Sequence, residues 1–500
     1  MRQMPHARPP SAARGPMFPS EYVDTLHADK LHEECGVIAV YRASGNAAAL
    51  AHRGLFALQH RGQEAAGLAS IDDQGELHSL RSPGLVAALP LDAVSALPGC
   101  MAIGHVRYST VTVDHAENIQ PFLATTPLGR LAIAHNGNFK NADSLSADLR
   151  QDGALLSTTM DTELFVHLLT RSRKTDLHAA LRIACDGVIG AYSLTLLCGQ
   201  RLLALRDAHG IRPLVIGRLP EPESGWVVAS ETCALRAIGA SLVREVAPGE
   251  LVELGPTGLS STQLLPASVQ PAPCVFELIY FARPDSEIFG QSPHEARVRM
   301  GMELAEQDRD LPRPDVVVPV PDSGVSAAVG YARGSGVPFE MAILRSHYVG
   351  RTFILPSQDA RTQMLRMKLS VIAAAVAGKR VLLVDDSLVR GNTARQIVAM
   401  VREAGAKEIW LRLASPPIVM PCFLGIDTPT QSELLLNRAF AGERLAKTLP
   451  AERASSAEAI EWVRRFVGAD HLRYLSQDGL RRATFDRPFC MGCMDGRYPV

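Results

Sequence analysis

The chain contains 500 residues, of which 47% are hydrophobic and 21% are charged. These values are typical of a globular protein, and the length exceeds one ordinary hydrophobic core, so two large domains are predicted. The 51 Lys and Arg residues balance 52 Asp and Glu residues, which excludes a global positive field for nucleic acid or a membrane surface. No apolar run approaches the ~18 residues that a membrane-spanning helix requires.

The first 34 residues are rich in Pro and Ala but contain no apolar signal-peptide core. Their acidic residues, such as Glu21 and Asp24, argue against a transit peptide. We therefore predict a disordered leader over residues 1–34. The nine cysteines are dispersed along the chain and do not resemble a secreted disulfide scaffold, so a reducing cytoplasm is the predicted location.

Residues 35–265 read as a strand-rich α+β domain. Alternating or β-rich runs predict strands over residues 35–40, 101–108, 130–135, 192–197, 201–206, 214–217, 226–230 and 250–254. Helices are predicted over residues 47–60 and 161–169, and Thr159 or Asp161 is the expected cap of the second. The turn dipeptide Asn136-Gly137 is expected to end its strand. Residues 255–273, rich in Pro, Ser, Gly and Thr, are the predicted domain junction.

The pattern changes in residues 270–500. A strand over residues 315–320 precedes a helix over residues 325–332, and a β-α-β unit follows over residues 381–384, 394–404 and 408–413. This alternation predicts an α/β domain built on a parallel, doubly wound sheet.

The most informative stretch is VLLVDDSLVRGNT, over residues 381–393. Asp385 and Asp386 end an apolar strand, which is where open α/β sheets bind ligands. The following loop and helix N-terminus form a phosphate cradle, and the carboxylates suit ribose hydroxyls or a hard cation. The loop lacks the lysine of a Walker A motif, which disfavours a nucleotide triphosphatase. The alternative is an ordinary strand–turn–helix with an exposed acid pair.

This stretch resembles the phosphoribosyl-diphosphate (PRPP) signature of type I phosphoribosyltransferases. The resemblance implies that Asp385 and Asp386 bind the ribose hydroxyls and the water of a bound Mg²⁺. It also implies that Ser323, in the upstream sequence VPVPDSG, reaches the metal-bound diphosphate. The residues implied to bind the 5′-phosphate are Ser387, Arg390, Gly391, Asn392 and Thr393.

Residues 348–358 show little helical periodicity and are followed by further cations. A long irregular segment in a compact domain is usually functional or disordered. The cations Arg351, Arg361, Arg366 and Lys368 suit a lid that closes over a charged substrate, and Arg351 and Lys368 are predicted to bind PRPP. The alternative is a solvated basic loop.

Five motifs of the amino-terminal half resemble the class II glutamine amidotransferases, which have the N-terminal nucleophile (αββα) fold. The motifs are HEECGVI (32–38), LQHRGQ (58–63), GHVRYST (104–110), HNGN (135–138) and DTE (161–163). The resemblance implies cleavage between Glu34 and Cys35, which makes Cys35 the first residue and the nucleophile. Its α-amine, with a pKa near ~8, would be the general base. For Cys35 by itself, a buried hydrophobic role is the alternative.

The same resemblance implies a role for five further residues. Asn136 and the backbone N–H of Gly137 would form the oxyanion hole. Arg107 and Asp161 would hold the α-carboxylate and α-ammonium of glutamine, and Arg61 would line that pocket. This chain departs from the family pattern over residues 111–115, where glycines are usual, so the closure of that loop over glutamine is in question.

Both halves together resemble one family across residues 35–500, the glutamine phosphoribosyldiphosphate amidotransferases. Membership implies transfer of glutamine nitrogen to PRPP with Mg²⁺, a homotetramer, and purine nucleotides as feedback inhibitors. Two alternatives stay open: ammonia could be delivered to another acceptor, such as a sugar phosphate, or the chain could be a PRPP-sensing regulator without turnover.

Four cysteines match the ligands of a [4Fe–4S] cluster in one branch of this family, namely Cys274, Cys422, Cys490 and Cys493. The sequence CMGC supplies two of them. A single C-x-x-C is also compatible with zinc or a redox pair. The remaining cysteines after Cys35 have apolar neighbours and are expected in the core.

Overall fold

The computed structural model describes residues 32–33, 35–108, 116–222, 224–346, 367–427, 431–439, 453 and 456–500. The strands of the amino-terminal half are β1 (His32–Glu33), β2 (Gly36–Arg42), β3 (Ala65–Ile71), β4 (Leu77–Pro83), β5 (Met101–Arg107), β6 (Phe122–Thr126), β7 (Gly129–Phe139), β8 (Gly190–Cys198), β9 (Arg201–Arg206), β10 (Val215–Leu219), β11 (Gly225–Ala229), β12 (Ser241–Glu245), β13 (Glu250–Gly255) and β14 (Gly258–Gln263). Its α-helices are α1 (Ala47–Ala57), α2 (Leu91–Ala96), α3 (Ala142–Gln151), α4 (Asp161–Arg171), α5 (Leu177–Asp186) and α6 (Thr232–Ala237).

Two antiparallel sheets stack face to face in this half. Their strand orders are β12-β10-β11-β2-β5-β3-β4 and β14-β13-β9-β8-β7-β6. Because side chains alternate along a strand, Ile38 and Val40 of β2 pack under α1 and α6, whereas Val37 and Ala39 pack against the second sheet. Helices α4 and α5 cover the outer face of the second sheet. The four layers confirm the predicted αββα glutaminase fold.

The carboxyl-terminal half begins with a π-helix, Glu277–Phe281. Its strands are β15 (Val316–Pro319), β16 (Ile343–Arg345), β17 (Leu369–Val371), β18 (Arg380–Asp385), β19 (Glu408–Leu413), β20 (Ile426–Asp427) and β21 (His471–Tyr474). Its α-helices are α7 (Pro293–Gln307), α8 (Val325–Ser335), α9 (Ala373–Val376), α10 (Asn392–Glu403), α11 (Leu435–Ala439), α12 (Ala457–Val467), α13 (Gln477–Ala483) and α14 (Gly492–Asp495). None of the helices in the described ranges is long and apolar enough to cross a membrane.

The central sheet of this half is parallel, with the strand order β15-β18-β19-β21. Val316 and Val318 of β15 pack with α10 and α12, whereas Val317 between them packs with α7 and α8. Helices therefore cover both faces, and the predicted doubly wound parallel sheet is confirmed.

Three local predictions in the amino-terminal half were wrong. Strand β7 continues through Asn136-Gly137 to Phe139, because Gly137, with φ +146°, pairs with Tyr192 where an added Cβ would lie 2.0 Å from Ala191 O. Helix α1 ends at Ala57, and residues up to 60 form a turn. Neither Thr159 nor Asp161 caps α4, since the N-cap is Met160.

The predicted junction over residues 255–273 is also too long. Strand β14 lies inside it and pairs with β13 from Glu250↔Gln263 to Gly255↔Gly258. The second sheet therefore extends to Gln263, within the predicted 35–265 domain. The boundaries 35–265 and 270–500 stay predictions.

Two candidate active sites

Strand β5 brings the start of β2 close to the middle of β7. Cys35 is buried directly before β2, with φ +78°. Two residues further, Val37 lies opposite His105 of β5, and His105 Nε2 lies 3.2 Å from His135 O in β7. Cys35 and the predicted oxyanion residue Asn136 are therefore connected through β5, which pairs with β2 on one side and contacts β7 through His105.

The side chain of Asn136 is fully buried, and neither its Oδ1 nor its Nδ2 has a hydrogen-bond partner among the described residues. An unpaired buried amide costs roughly 1–3 kcal/mol, so native proteins keep few of them. Such a group is explained when a ligand supplies the missing partner. The next residue, Gly137, adopts φ +146°, which an L side chain rarely adopts.

Asp161 is held at the start of α4 by the strand that carries Asn136. Its Oδ1 lies 3.1 Å from His135 Nδ1, and its Oδ2 accepts from the Phe139 N–H at 3.1 Å. Burial would raise the pKa of this carboxyl, but His135 and the backbone donors prevail and lower it. Asp161 is therefore an anion that can receive an ammonium group.

Arg107 ends β5 and is only partly exposed. A Cβ on Gly62 would lie 2.7 Å from the backbone N and C of Arg107, so the LQHRGQ motif packs directly against this strand end. The two motifs that are predicted to bind glutamine therefore touch.

Arg61 has partners that the sequence did not indicate. Its guanidinium is completely buried, pairs with Glu231, and donates to Glu277 at 2.7 and 3.2 Å. Arg212 Nη2 approaches the same Glu277 at 3.1 Å. Glutamine binding by Arg61 stays a prediction, because these contacts tie its head group to the domain junction.

A segment of the carboxyl-terminal half lies on this glutaminase site. Asn138 Nδ2 donates to Phe423 O at 3.1 Å, and a Cβ on Gly425 would lie 2.8 Å from Gly137 Cα. Strand β20, which follows directly, pairs antiparallel with β1 just ahead of Cys35. Glu34 and residues 109–115, including the atypical loop, lie outside the described residues.

The second site lies at the carboxyl end of the parallel sheet. Asp385 is the last residue of β18, and Ser323 Oγ donates to its Oδ1 at 3.2 Å. Gly324 allows this approach, because a Cβ there would lie 2.2 Å from Val384 O. The loop after β15 and the acid pair after β18 are therefore in direct contact, as predicted for two halves of one PRPP site.

The loop after the acid pair leads straight into α10. Ser387 Oγ donates to Asp386 Oδ2 at 2.5 Å, and Gly391 takes the left-handed conformation with φ +81° before the helix. Asn392 and Thr393 form the first turn of the helix, and helix N-termini favour a phosphate. Arg390 Nη2 lies 3.7 Å from Glu433.

The predicted lid lies mostly outside the described residues, since these include none of residues 348–358, Arg361 or Arg366. Arg351 therefore stays a prediction. Lys368 is buried, and its carbonyl accepts from the Ser346 N–H at 2.8 Å, directly before β17. Lys368 is the second residue of the described range that begins at residue 367.

The four predicted cluster cysteines converge on one region. Cys274 and Cys490 form a parallel β-bridge, and the N–H groups of residues 419 and 420, just before Cys422, donate to Cys493 O. None of these four described cysteines forms a disulfide. Burial raises the pKa of Cys493, and the charges of the other three thiols raise it further.

Within the described ranges, no three His, Cys, Asp or Glu side chains are placed to hold a single metal ion. This finding applies both to the acid pair and to the four thiols. At the acid pair, a three-carboxylate cage is not expected for Mg²⁺, which usually takes one or two carboxylates and completes its shell with substrate phosphates and water.

An αββα glutaminase fold joined to a phosphoribosyltransferase sheet defines a glutamine-dependent phosphoribosyltransferase. Family models agree: residues 105–237 match a glutamine amidotransferase domain, and residues 292–413 match a phosphoribosyl transferase domain.

Known proteins match nearly the whole chain. Amidophosphoribosyltransferase 1, chloroplastic, of Arabidopsis thaliana is 42% identical over 96% of this chain and 81% of its own length. The amidophosphoribosyltransferase of Mycobacterium tuberculosis is 43% identical over 94% and 86%. The solved glutamine PRPP amidotransferase from B. subtilis, complexed with ADP and GMP, is 40% identical over 93% and 97%, with a TM-score of 0.82. The chain therefore belongs to the amidophosphoribosyltransferases, the enzymes of the first step of purine biosynthesis.

Proposed function

We propose that this chain converts glutamine and PRPP into 5-phosphoribosylamine, pyrophosphate and glutamate, using the residues of the two sites described above. The observation that carries the proposal is the unpaired, buried amide of Asn136 in a chain that also holds Asp385 and Asp386 at a strand end. The amide of Asn136 suits an oxyanion, and the two carboxylates suit the hydroxyls of an activated ribose.

In the glutaminase centre, removal of the leader would free the α-amine of Cys35, which takes the thiol proton as Sγ attacks the side-chain amide. Asn136 Nδ2 and the Gly137 N–H donate to the oxyanion of the tetrahedral intermediate. Collapse to a thioester releases ammonia, and water then releases glutamate. Arg107 binds the α-carboxylate of glutamine, and Asp161, an anion at working pH, binds its α-ammonium.

In the phosphoribosyl centre, ammonia attacks the ribose C1 while pyrophosphate departs. Asp385 and Asp386 bind the ribose hydroxyls, and residues 387–393 bind the 5′-phosphate. The oxygen donors of the acid pair and Ser323 fit Mg²⁺, which when bound neutralises the leaving diphosphate. An enclosed site keeps ammonia next to its acceptor.

The purified protein should release pyrophosphate from PRPP with glutamine and also with an ammonium salt, because each donor supplies ammonia to the same centre. Continuous pyrophosphate detection measures both reactions. Activity with ammonium alone would mean an inactive glutaminase half. No activity with either donor would favour a PRPP-sensing regulator without turnover. Glutaminase activity with only a sugar phosphate as acceptor would favour an enzyme that delivers ammonia to that sugar phosphate.

Asn136→Ala should lower kcat for glutamine hydrolysis by about 10²–10³-fold, the usual effect of removing one oxyanion donor. PRPP turnover with ammonium should be unchanged, since Asn136 lies in the other domain. Steady-state kinetics with both donors test this. Asn138→Ala, two residues along the same strand, is the matched control and should affect kcat far less. Equal losses in the two variants would contradict the oxyanion role.

The four converging thiols support an iron–sulfur cluster as the group they hold. The thiols are buried or half-buried, and their charges raise the pKa values of their neighbours, so they lie close enough to interact. Four thiolates are the ligand set of a [4Fe–4S] cluster. When bound, the cluster would cross-link the chain end to the body of the protein.

Protein purified without oxygen should contain about four irons and four sulfides per chain. Cys490→Ser should lose most of this iron, whereas Cys233→Ser, at a buried core thiol, should keep it. Metal analysis and visible absorption provide the measurements. One zinc per chain, or full iron in Cys490→Ser, would refute the cluster.

Three further properties are proposed from family membership. The relative solved with ADP and GMP supports purine nucleotides as inhibitors. A homotetramer is proposed from the resemblance. None of the nine cysteines, all of which lie in the described ranges, forms a disulfide, which suits a reducing compartment such as the cytoplasm.

A further inference from the structure

One short element lies between the two active centres. The π-helix Glu277–Phe281 starts three residues after Cys274, and its first residue faces the glutaminase domain. π-Helical turns are rare and occur mostly at functional sites. The charged residues that hold it in place are therefore of interest.

On the glutaminase side, the π-helix is held by Glu277. This carboxylate is fully buried and receives Arg61 Nη2 at 2.7 Å and Arg212 Nη2 at 3.1 Å. Arg61 in turn packs under the nucleophile strand, because a Cβ on Gly36 would lie 3.3 Å from Arg61 Cδ. A displacement of Glu277 is therefore transmitted to the residue that follows Cys35.

On the phosphoribosyl side, the π-helix is held by Arg297 of α7. Its Nε donates to Leu278 O at 2.9 Å, and its Nη2 donates to Ala282 O at 2.7 Å. These two hydrogen bonds hold both ends of the π-helical turn. Arg297 is buried, and it interacts electrostatically with Asp386 of the acid pair as well as with Glu231 and Glu277. Arg297 therefore lies within electrostatic range of the acid pair while its guanidinium holds the turn.

Helix α7 also packs on α8, which directly follows the loop of residues 320–324 that carries Ser323, here named the pyrophosphate loop after its proposed ligand. A Cβ on Gly301 would lie 1.9 Å from Ala327 O, and one on Gly330 would lie 1.9 Å from Val298 O, so α7 and α8 are in backbone contact. His294 Nδ1 also lies 2.9 Å from Ser326 Oγ, three residues after Ser323. The acid pair, the pyrophosphate loop and Arg297 thus belong to one packed unit.

We propose that Glu277 and Arg297 are positioning residues that couple the two centres through the π-helix, so that glutamine hydrolysis keeps pace with PRPP consumption. This inference rests on the proposed function. Neither residue contacts the predicted reacting atoms. Each acts through another group, Glu277 through Arg61 and Arg297 through the backbone of the turn.

The test compares two variants with two matched controls. Arg297→Lys keeps the positive charge but loses the guanidinium that donates to two backbone carbonyls. Glu277→Gln keeps the shape of the side chain but loses its negative charge. The controls are Arg299→Lys, on the same helix but bonded to Ala483 O and Gln291, and Glu250→Gln, a buried glutamate paired with Arg244.

With saturating glutamine and PRPP, the measured quantity is glutamate formed per pyrophosphate released. We expect a ratio near one in the unaltered chain and both controls, and a rise of about fivefold in Arg297→Lys and Glu277→Gln, the lower end of usual coupling effects. Pyrophosphate release with ammonium should stay within about twofold, as for changes outside a reacting centre.

An unchanged ratio in folded variants would overturn the proposal, and so would equal loss of both half-reactions, which would indicate a purely structural role. Thermal unfolding shows which variants are folded. If Glu277→Gln fails to fold, Arg297→Lys decides, since it keeps the positive charge and leaves the Arg61–Glu277 pair unaltered. Failure of the unaltered chain to use PRPP with either donor would instead contradict the proposed function itself.

Discussion

Cys35→Ser should abolish glutamine-dependent pyrophosphate release while PRPP turnover with ammonium continues at its normal rate. Serine lacks a nucleophile of thiolate strength, so the rate with glutamine should fall by about a thousandfold or more, as when a nucleophile that acts with its base is removed. Parallel assays with the two donors provide the measurement.

The expected difference between the rates with glutamine and with ammonium depends on the separation of the two active centres. Cys35 lies before β2 of the glutaminase domain, whereas the acid pair ends β18 of the phosphoribosyltransferase sheet. Cys198→Ser is the matched control, because this thiol is also buried in the glutaminase domain and donates to Leu128 O at 3.5 Å. Normal glutamine use by Cys35→Ser would refute the nucleophile assignment.

The double variant Asp385→Asn/Asp386→Asn should lose PRPP turnover with either donor by about 10³-fold or more, since charge stabilisation at the leaving group is usually the largest catalytic contribution. Glutamine hydrolysis should persist, because the glutaminase residues are untouched. Glutamate and pyrophosphate assays separate the two effects.

Amides of the same size keep the shape of the acid pair and its contacts with Ser323 and Ser387, so the sheet end should fold normally. Asp315→Asn/Asp308→Asn would not be a fair control, because the buried Asp308 pairs with the buried Arg412 and with the partly exposed Arg473. Asp315→Asn alone, at an exposed pair with Arg380, is suitable. Unchanged PRPP turnover in the double variant would refute the site.

Much of the fold could be predicted because its signals are local. The βαβ alternation and the strand that ends in Asp385 and Asp386 depend on neighbouring residues, and so do the alternating runs of the two sheets. The residues at which individual strands and helices end were less predictable. Asn136-Gly137 has the composition of a turn, but a glycine can also pass through a strand where a side chain would collide with Ala191 O.

The roles of the predicted glutamine-site residues stay predictions, but the contacts that position these residues were not predictable. His135 and the Phe139 N–H hold the carboxylate of Asp161, which was expected as a possible helix cap. Arg61 pairs with Glu231 and Glu277, partners that no motif indicated. Hydrogen-bond partners on distant strands leave no periodic signal in a sequence.

The amino-acid sequence by itself determined the two domains, their order and the residue types at each predicted site, because periodicity and short motifs act over a few residues. Only the tertiary structure decided which buried charges meet. Arg61 and Glu277 lie 216 positions apart, and Arg297 reaches the turn that follows Glu277 from a separate helix. Buried ions must find partners wherever packing places them, so the link between the two centres is a property of the folded chain alone.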